Sequence, residues 1–272
     1  MADIEFLENK AQSIRRAIIE TAYRCGRSTH IGPALSCTDL MTAIYYGFMH
    51  TDPAQPDMAD RDRMILSKGH ACPVLYSILA DLGFFPAKEL SNLRHIDALL
   101  QGHPSYPKIP GVDMTTGSLG NGLGIGLGMA YFLKQQKIDR HVFVVLGDGE
   151  MNEGTVWEAV NAAPALKADN LIAVVDQNYL QSCGAAEDII PMLNMAERWR
   201  VFGWNVLEVN GHDMRDIVSK LETAVHHRGG PVCIVAHTVK GKGVSFMEHN
   251  NAWHQKPLSD ADYRRAMEEL EG

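Results

Sequence analysis

The sequence predicts an α/β protein, a three-layer α/β/α sandwich built on a mostly parallel sheet. Two observations carry this. Four short runs rich in β-branched residues, "HVFVVLG" (141–147), "LIAVVD" (171–176), "WNVLEV" (204–209) and "VCIVAH" (232–237), are separated by helix-patterned stretches. Each run is apolar with little alternation, which marks strands covered on both faces rather than strands with one wet side.

Taken in order, the elements support that class. Apolar residues Ile4, Leu7, Ala11, Ile14 and Ile18 recur at helical spacing, so residues 3–24 read as an amphipathic helix. "SCTDLMTAIYYGFM" opens with Ser36 and Asp39 spaced as a capping box, the start of a second helix. Further helices are expected near 71–82 and 86–94. "GHPSYPKIPGVDMTTGSLGNG" (102–122) is a loop of about 20 residues, long enough in a compact fold to suggest function. Helices near 154–167, 191–202 and 213–227 then alternate with the four strands. No Pro-, Gly- or Ser-rich linker divides the chain, so one domain over 1–272 is expected, with a helical segment over about 1–100 and a parallel α/β part over about 101–272.

Composition excludes several classes. A net charge of −8 with scattered basic residues offers no clustered positive face for nucleic acid. The longest uncharged run, Met114–Leu133, has 20 residues, but six are Gly and four are Thr, Ser or Asn, so it is no membrane span. The N-terminus is charged and lacks an apolar signal core, which places the protein in the cytoplasm. Five widely spaced cysteines without a CxxC read as reduced, buried thiols rather than disulfides or a zinc site.

The chemistry concentrates where strands end. In "VVLGDGEMNEG" (144–154) a strand runs into Asp148 between two glycines, and the next strand ends in "VVDQNYL", which brings Asp176 and Asn178 to the same sheet edge. Oxygen ligands from two adjacent strand ends, plus the oxygens of a bound phosphate, are what a magnesium ion takes. The glycine-rich "GSLGNGLGIGLGMA" fails the dinucleotide pattern G-x-G-x-x-G/A, since the last position is Leu127 in one register and Met129 in another. Gly120, Gly124 and Gly128, four apart, instead suggest a helix face packed closely by another element. His30, His70, His103 and His254 each sit beside Gly or in a polar, turn-rich stretch, a set suited to a polar pocket that moves protons on hydroxyls or carbonyls.

Five ordered stretches carry a resemblance. "LSKGHACPVLYS", "GHPSYPKIPGVDMTTGSLGNGLGIGLGMA", "GDGEMNEGTVWEA", "DNLIAVVDQN" and "KGKGVSFMEHNNAWHQKPL" resemble the successive motifs of the N-terminal, diphosphate-binding domain of transketolase, over roughly residues 15–260. The resemblance implies the thiamine-diphosphate-binding (PP domain) fold. It implies thiamine diphosphate and Mg2+ (or Ca2+ or Mn2+) as cofactors, with Asp148, Asn178 and the carbonyl of Leu180 as metal ligands. Gly149, Gly117, Ser118 and Leu119 match loops lying against the cofactor, and His70, Lys240 and His254 match further cofactor contacts. His30, His103 and His254 match the histidines that bind sugar hydroxyls and shuttle protons. Glu153 matches an acidic residue linking two cofactor sites across a dimer, whereas Glu150 is read as a solvated carboxylate at a helix start. The chain departs from the family at Gln255, where Gly is usual, and at Pro33 and Ala34, where small polar residues are usual.

The activity so implied is transfer of a two-carbon ketol unit between ketose and aldose (phospho)sugars. Alternatives are a subunit of a 1-deoxyxylulose-5-phosphate synthase-like or dihydroxyacetone-forming enzyme, and a cofactor-binding module without catalysis. The resemblance also implies that the glutamate activating the cofactor's pyrimidine ring belongs to a second, pyrimidine-binding domain. A separate C-terminal transketolase subunit in a heterotetramer is therefore the expected partner, with a sugar phosphate as substrate and no nucleic acid or membrane contact.

Overall fold

The computed structural model describes residues 3–192 and 194–271. Five strands, β1 (Arg63–Leu66), β2 (Val142–Gly147), β3 (Leu171–Gln177), β4 (Asn205–Asn210) and β5 (Val232–His237), form one sheet in the order β1-β2-β3-β5-β4. Every pairing is parallel. The helices are α1 (Ile4–Arg24), α2 (Ile31–Ser36), α3 (Thr38–Ala43), α4 (Cys72–Leu82), α5 (Asn121–Gln135), α6 (Gly154–Ala165), α7 (Ala186–Ile189), α8 (Met195–Val201), α9 (Met214–His226) and α10 (Asp260–Glu271).

Because successive strand residues point to opposite faces, the apolar runs feed two cores. Phe143, Val145, Ile172, Val174 and Ile234 pack with α1, α3, α4 and α9. Val142, Val144, Leu171, Ala173, Val175 and Val235 pack with α5, α6 and α8 on the other face. The three layers are thus α/β/α, as the sequence predicts.

Three local expectations are revised. The sheet reaches into the N-terminal hundred residues, where β1 forms its edge. The Ser36/Asp39 capping box does not form. The chain makes two short helices broken at Cys37, the Ser36 hydroxyl donates to Asp176 at 2.5 Å, and Asp39 is buried against Arg15 (2.5 Å) and His212 (2.8 Å). Tertiary partners have claimed both side chains that would have capped. In α5 the closely packed glycines are Gly122, whose added Cβ would stand 2.2 Å from Ser67 Oγ, and Gly126, at 2.5 Å from Val144. Gly124 and Gly128 face outward, and Gly120 is a left-handed N-cap (φ +88°) rather than part of a helix face.

Candidate active site

The parallel register sets Gly147 of β2 opposite Asp176 of β3, so both strands end at one edge. A cavity of about 440 Å³ opens there. Its wall includes Asp148, Gly149, Glu153, Asn178, Leu180 and Lys240, together with His30, His70 and His254. Residues from six separated stretches of the chain therefore meet in one place.

The Asp148 carboxylate accepts backbone N–H groups from Gly149 (2.8 Å) and Tyr179 (2.6 Å). Among the described residues it forms no ion pair, and burial, with the negative charge of Asp176 nearby, pushes its pKa up to about 6. A buried carboxylate with no directly bonded cation suits a metal. Asn178 donates its amide to Asp176 (3.3 Å) and to Ser36 (3.4 Å), while its Oδ1 accepts the Leu180 N–H at 3.2 Å. Among the described residues no three His, Cys, Asp or Glu side chains gather to hold a metal by themselves. A cation here would need the Asn178 oxygen, the Leu180 carbonyl and oxygens of a ligand, which suits magnesium better than zinc.

Lys240 is almost wholly buried and donates to the carbonyls of Leu180 (3.2 Å) and Gln181 (3.1 Å) and to Asn251 Oδ1 (2.9 Å). All three are uncharged oxygens, so the ammonium keeps its full charge for an anion. Burial and the nearby Lys68 bring its pKa down to about 8.

Three histidines form a tight group, with ring centroids 5.1 Å apart for His30 and His70, 5.2 Å for His30 and His254, and 5.4 Å for His70 and His254. Burial is the main cause that lowers their pKa values, to about 4 for His30, about 2 for His70 and about 3 for His254, with neighbouring cations adding to it. The rings are neutral at pH 7 and can both give and take a proton. His254 Nδ1 is buried without a hydrogen-bond partner among the described residues. His103 lies 6.4 Å from His30 but outside the cavity wall, against Gly117, where an added Cβ would meet its ring at 2.8 Å and where φ is +135°. Only glycine fits that position.

The other expected site residues divide. Leu119 and Gly117 line the cavity, whereas Ser118 is exposed with its hydroxyl toward Asn121 (3.2 Å). Glu153 is exposed at the wall, and Pro33 lines it, while Ala34 is buried and Gln255 is exposed away from it. Glu150 overturns its expectation. It is 2% exposed and accepts Ser67 Oγ (2.5 Å), Gly120 N (2.8 Å) and Gly147 N (3.1 Å), bolting together the loops after β1, before α5 and at the end of β2. Sequence reading also missed Lys68, sealed in an ion pair with Asp176, which the hydroxyls of Ser36 and Thr238 also reach. Burial would raise the Asp176 pKa, but Lys68 and these hydroxyls hold it below the usual carboxylate value. Asp176 is thereby committed to the protein. The only sequence signal for Lys68 was its place in "LSKGHA".

The family model for the transketolase thiamine diphosphate binding domain matches residues 7–271. The chain belongs to the transketolase family. It is the thiamine-diphosphate-binding N-terminal subunit of a transketolase-type transferase, by likeness to relatives of its own length. It is 38% identical to one of the subunits of the apulose-4-phosphate transketolase from Phocaeicola vulgatus, over 98% of this chain and 94% of the relative. It is also 38% identical to a 6-deoxy-6-sulfo-D-fructose transketolase subunit from a Clostridium species, over 97% of this chain and 96% of the relative. Against full-length transketolases it spans a smaller share. The structure superposes on the Leishmania mexicana enzyme with a TM-score of 0.91 at 27% identity, covering 100% of this chain and 42% of the other. The Campylobacter jejuni transketolase gives 0.91 at 29% identity, with 99% and 43% covered.

Proposed function

We propose that this transketolase-family chain works with a separate subunit carrying the pyrimidine-binding domain, two copies of each forming a heterotetramer that transfers a two-carbon ketol unit from an anionic ketose to an aldose. Supporting the partner, two relatives of matching length are named as subunits. Supporting the substrate class, those names specify a phosphorylated and a sulfonated sugar. The five unpaired thiols suit a reducing compartment, the cytoplasm, and among the described residues no helix is long and apolar enough to cross a membrane.

In this reading Asp148, Asn178 and the Leu180 carbonyl would hold Mg2+ (or Ca2+ or Mn2+) against the diphosphate. Lys240 would add positive charge to the same group. Bound thiamine diphosphate supplies a nucleophilic ring carbon and an electron sink for the C–C bond that breaks and forms. Gly117, Leu119 and Gly149 would supply the backbone cradle, with His70 beside it and the exposed Ser118 joining only through the loop it shares with Gly117 and Leu119. His30 and His254, neutral through burial, take a proton from a sugar hydroxyl and return it, with His103 binding a hydroxyl nearer solvent. Glu153, exposed at the wall, would face the partner and communicate with the second site.

One observation carries the reading: a single cavity wall collects a carboxylate, an amide oxygen and a carbonyl suited to a hard cation, beside a group of neutral histidines. Calorimetric titration of thiamine diphosphate with and without magnesium tests it. Magnesium-dependent binding supports the site, and binding that ignores both chelator and Asp148→Ala overturns it.

A further inference from the structure

Tyr179 stands between two residues assigned above to the cation, Asn178 through its side chain and Leu180 through its carbonyl. Its own N–H is donated to the third, Asp148 Oδ2, at 2.6 Å. Its backbone is left-handed, with φ at +65°. An aromatic residue rarely adopts that conformation, and where it does, the surroundings must hold it there. Beyond Tyr179 the chain reverses over the next few residues, with Leu180 bridged to Ala185 and the Gln181 N–H donating to the Gly184 carbonyl, and the Tyr179 carbonyl accepts the Ala186 N–H at 2.9 Å to close the loop.

The holding contact lies on the outer side of the loop. The Tyr179 hydroxyl is 2.7 Å from His237 Nδ1, and the two rings are nearly parallel, 9° apart. His237 closes β5, and its Nε2 reaches Glu208 of β4 at 3.4 Å. Glu208 in turn accepts Arg200 of α8 at 2.9 Å. With the ring proton on Nε2, His237 accepts the tyrosine hydroxyl and donates to the carboxylate, so every link has a donor and an acceptor. The chain of contacts ties the loop after β3 across β5 and β4 to a helix. Nothing in it enters the cavity.

We propose that Tyr179 is a positioning residue for the divalent cation, its hydroxyl tied to His237 so that the left-handed turn keeps Asn178 and Leu180 aimed at Asp148. This rests on the assignment of Asp148, Asn178 and Leu180 to the cation. It adds a contact from outside the cavity that sets cation affinity.

The test uses Mn2+ as the probe, titrated into the full chain assembled with its partner subunit in the presence of thiamine diphosphate and followed by electron paramagnetic resonance. Losing one hydrogen bond, Tyr179→Phe is expected to weaken Mn2+ binding about three- to ten-fold with the thermal midpoint unmoved. Tyr179→Ala is expected to weaken it further, and Tyr179→Gly to bind better than Ala because glycine takes the turn freely. In a His237→Ala background the Tyr179→Phe effect should vanish, since the bond is already gone. No diphosphate-dependent Mn2+ signal in the wild type, or one that survives Asp148→Ala, sinks the metal assignment and this inference with it. A signal abolished by Asp148→Ala but unchanged by Tyr179→Phe and Tyr179→Ala overturns this inference alone. So do equal affinities for the Ala and Gly variants, or a Phe effect that persists without His237.

Discussion

Lys68 and Asp176, 108 residues apart in sequence, form an ion pair with both side chains sealed from water beneath the candidate cation site. Removing one member strands a buried charge. Lys68→Met is therefore expected to cost about 3–5 kcal/mol of unfolding free energy, while the double replacement Lys68→Met/Asp176→Leu costs less than the sum of the two single changes. Urea unfolding followed by circular dichroism measures both. A Lys68→Met loss below about 1 kcal/mol would show that Asp176 is neutralised by other means.

Glu150 offers a second stability test because its two readings differ in size. A solvated carboxylate changed to Gln leaves stability within about 0.5 kcal/mol. The buried carboxylate accepts three donors, one hydroxyl and two N–H groups, across both oxygens. Glu150→Gln turns one acceptor into a donor facing a donor, and the expected cost is about 1–3 kcal/mol. The same variant should loosen Gly120 and so broaden protease sensitivity near residues 117–120.

Much of this architecture was legible before the fold, and the reasons are physical. β2, β3 and β5 showed because buried parallel strands leave uninterrupted apolar runs, and β4, a half-exposed edge strand broken by Glu208, showed by its Val and Leu content. β1 did not, because its four residues open on Arg63 and follow "ADRD", which hides an edge strand inside a polar stretch. Asp148 and Asn178 were visible because ligands gather at strand ends, a rule of topology that needs no side-chain detail. Glu150 was misread because its partners lie at Ser67 and Gly120, and local sequence cannot reveal that three loops converge on one carboxylate. Asp39 and Ser36 failed as a cap for the same reason.

The metal assignment predicts a loss of binding without a loss of fold. Asp148→Ala should abolish magnesium-dependent thiamine diphosphate binding while leaving the far-UV spectrum intact, since the side chain's own partners are two loop N–H groups rather than core. Calorimetry in magnesium buffer reads the first, circular dichroism the second. Unchanged cofactor affinity would remove Asp148 from the site.

His254 is expected to act after the cofactor is bound. Its Nδ1 is buried with no partner among the described residues, and its ring is held neutral, the state in which it can accept a proton. With the partner subunit present, His254→Ala should lower turnover by roughly 10²–10⁴-fold, the range for a lost acid–base group, with little change in cofactor affinity. Near-normal turnover would show that the exposed Gln255 beside it marks a site in which this histidine has given up its role.

The proposed partner is expected to dock on α5. Outward from the glycines Gly124 and Gly128 stand Tyr131, 42% exposed, and Phe132, 59% exposed, with Ile125 and Met129 half-buried beside them. Contiguous apolar surface of this kind marks an interaction site, and bare glycines let another backbone approach closely. The chain also spans only about two fifths of the full-length transketolases it matches. Phe132→Glu and Gly128→Arg should accordingly leave the melting temperature of the isolated chain unchanged, since an added Cβ at Gly128 meets nothing within 4 Å. Both should block assembly with the pyrimidine-binding subunit, seen as loss of co-elution in size-exclusion chromatography. Ketol transfer should be absent from this chain alone, appear on mixing with the partner, and fail with either variant. Full transferase turnover by the isolated chain would refute the two-subunit reading, and normal assembly by both variants would move the interface away from α5.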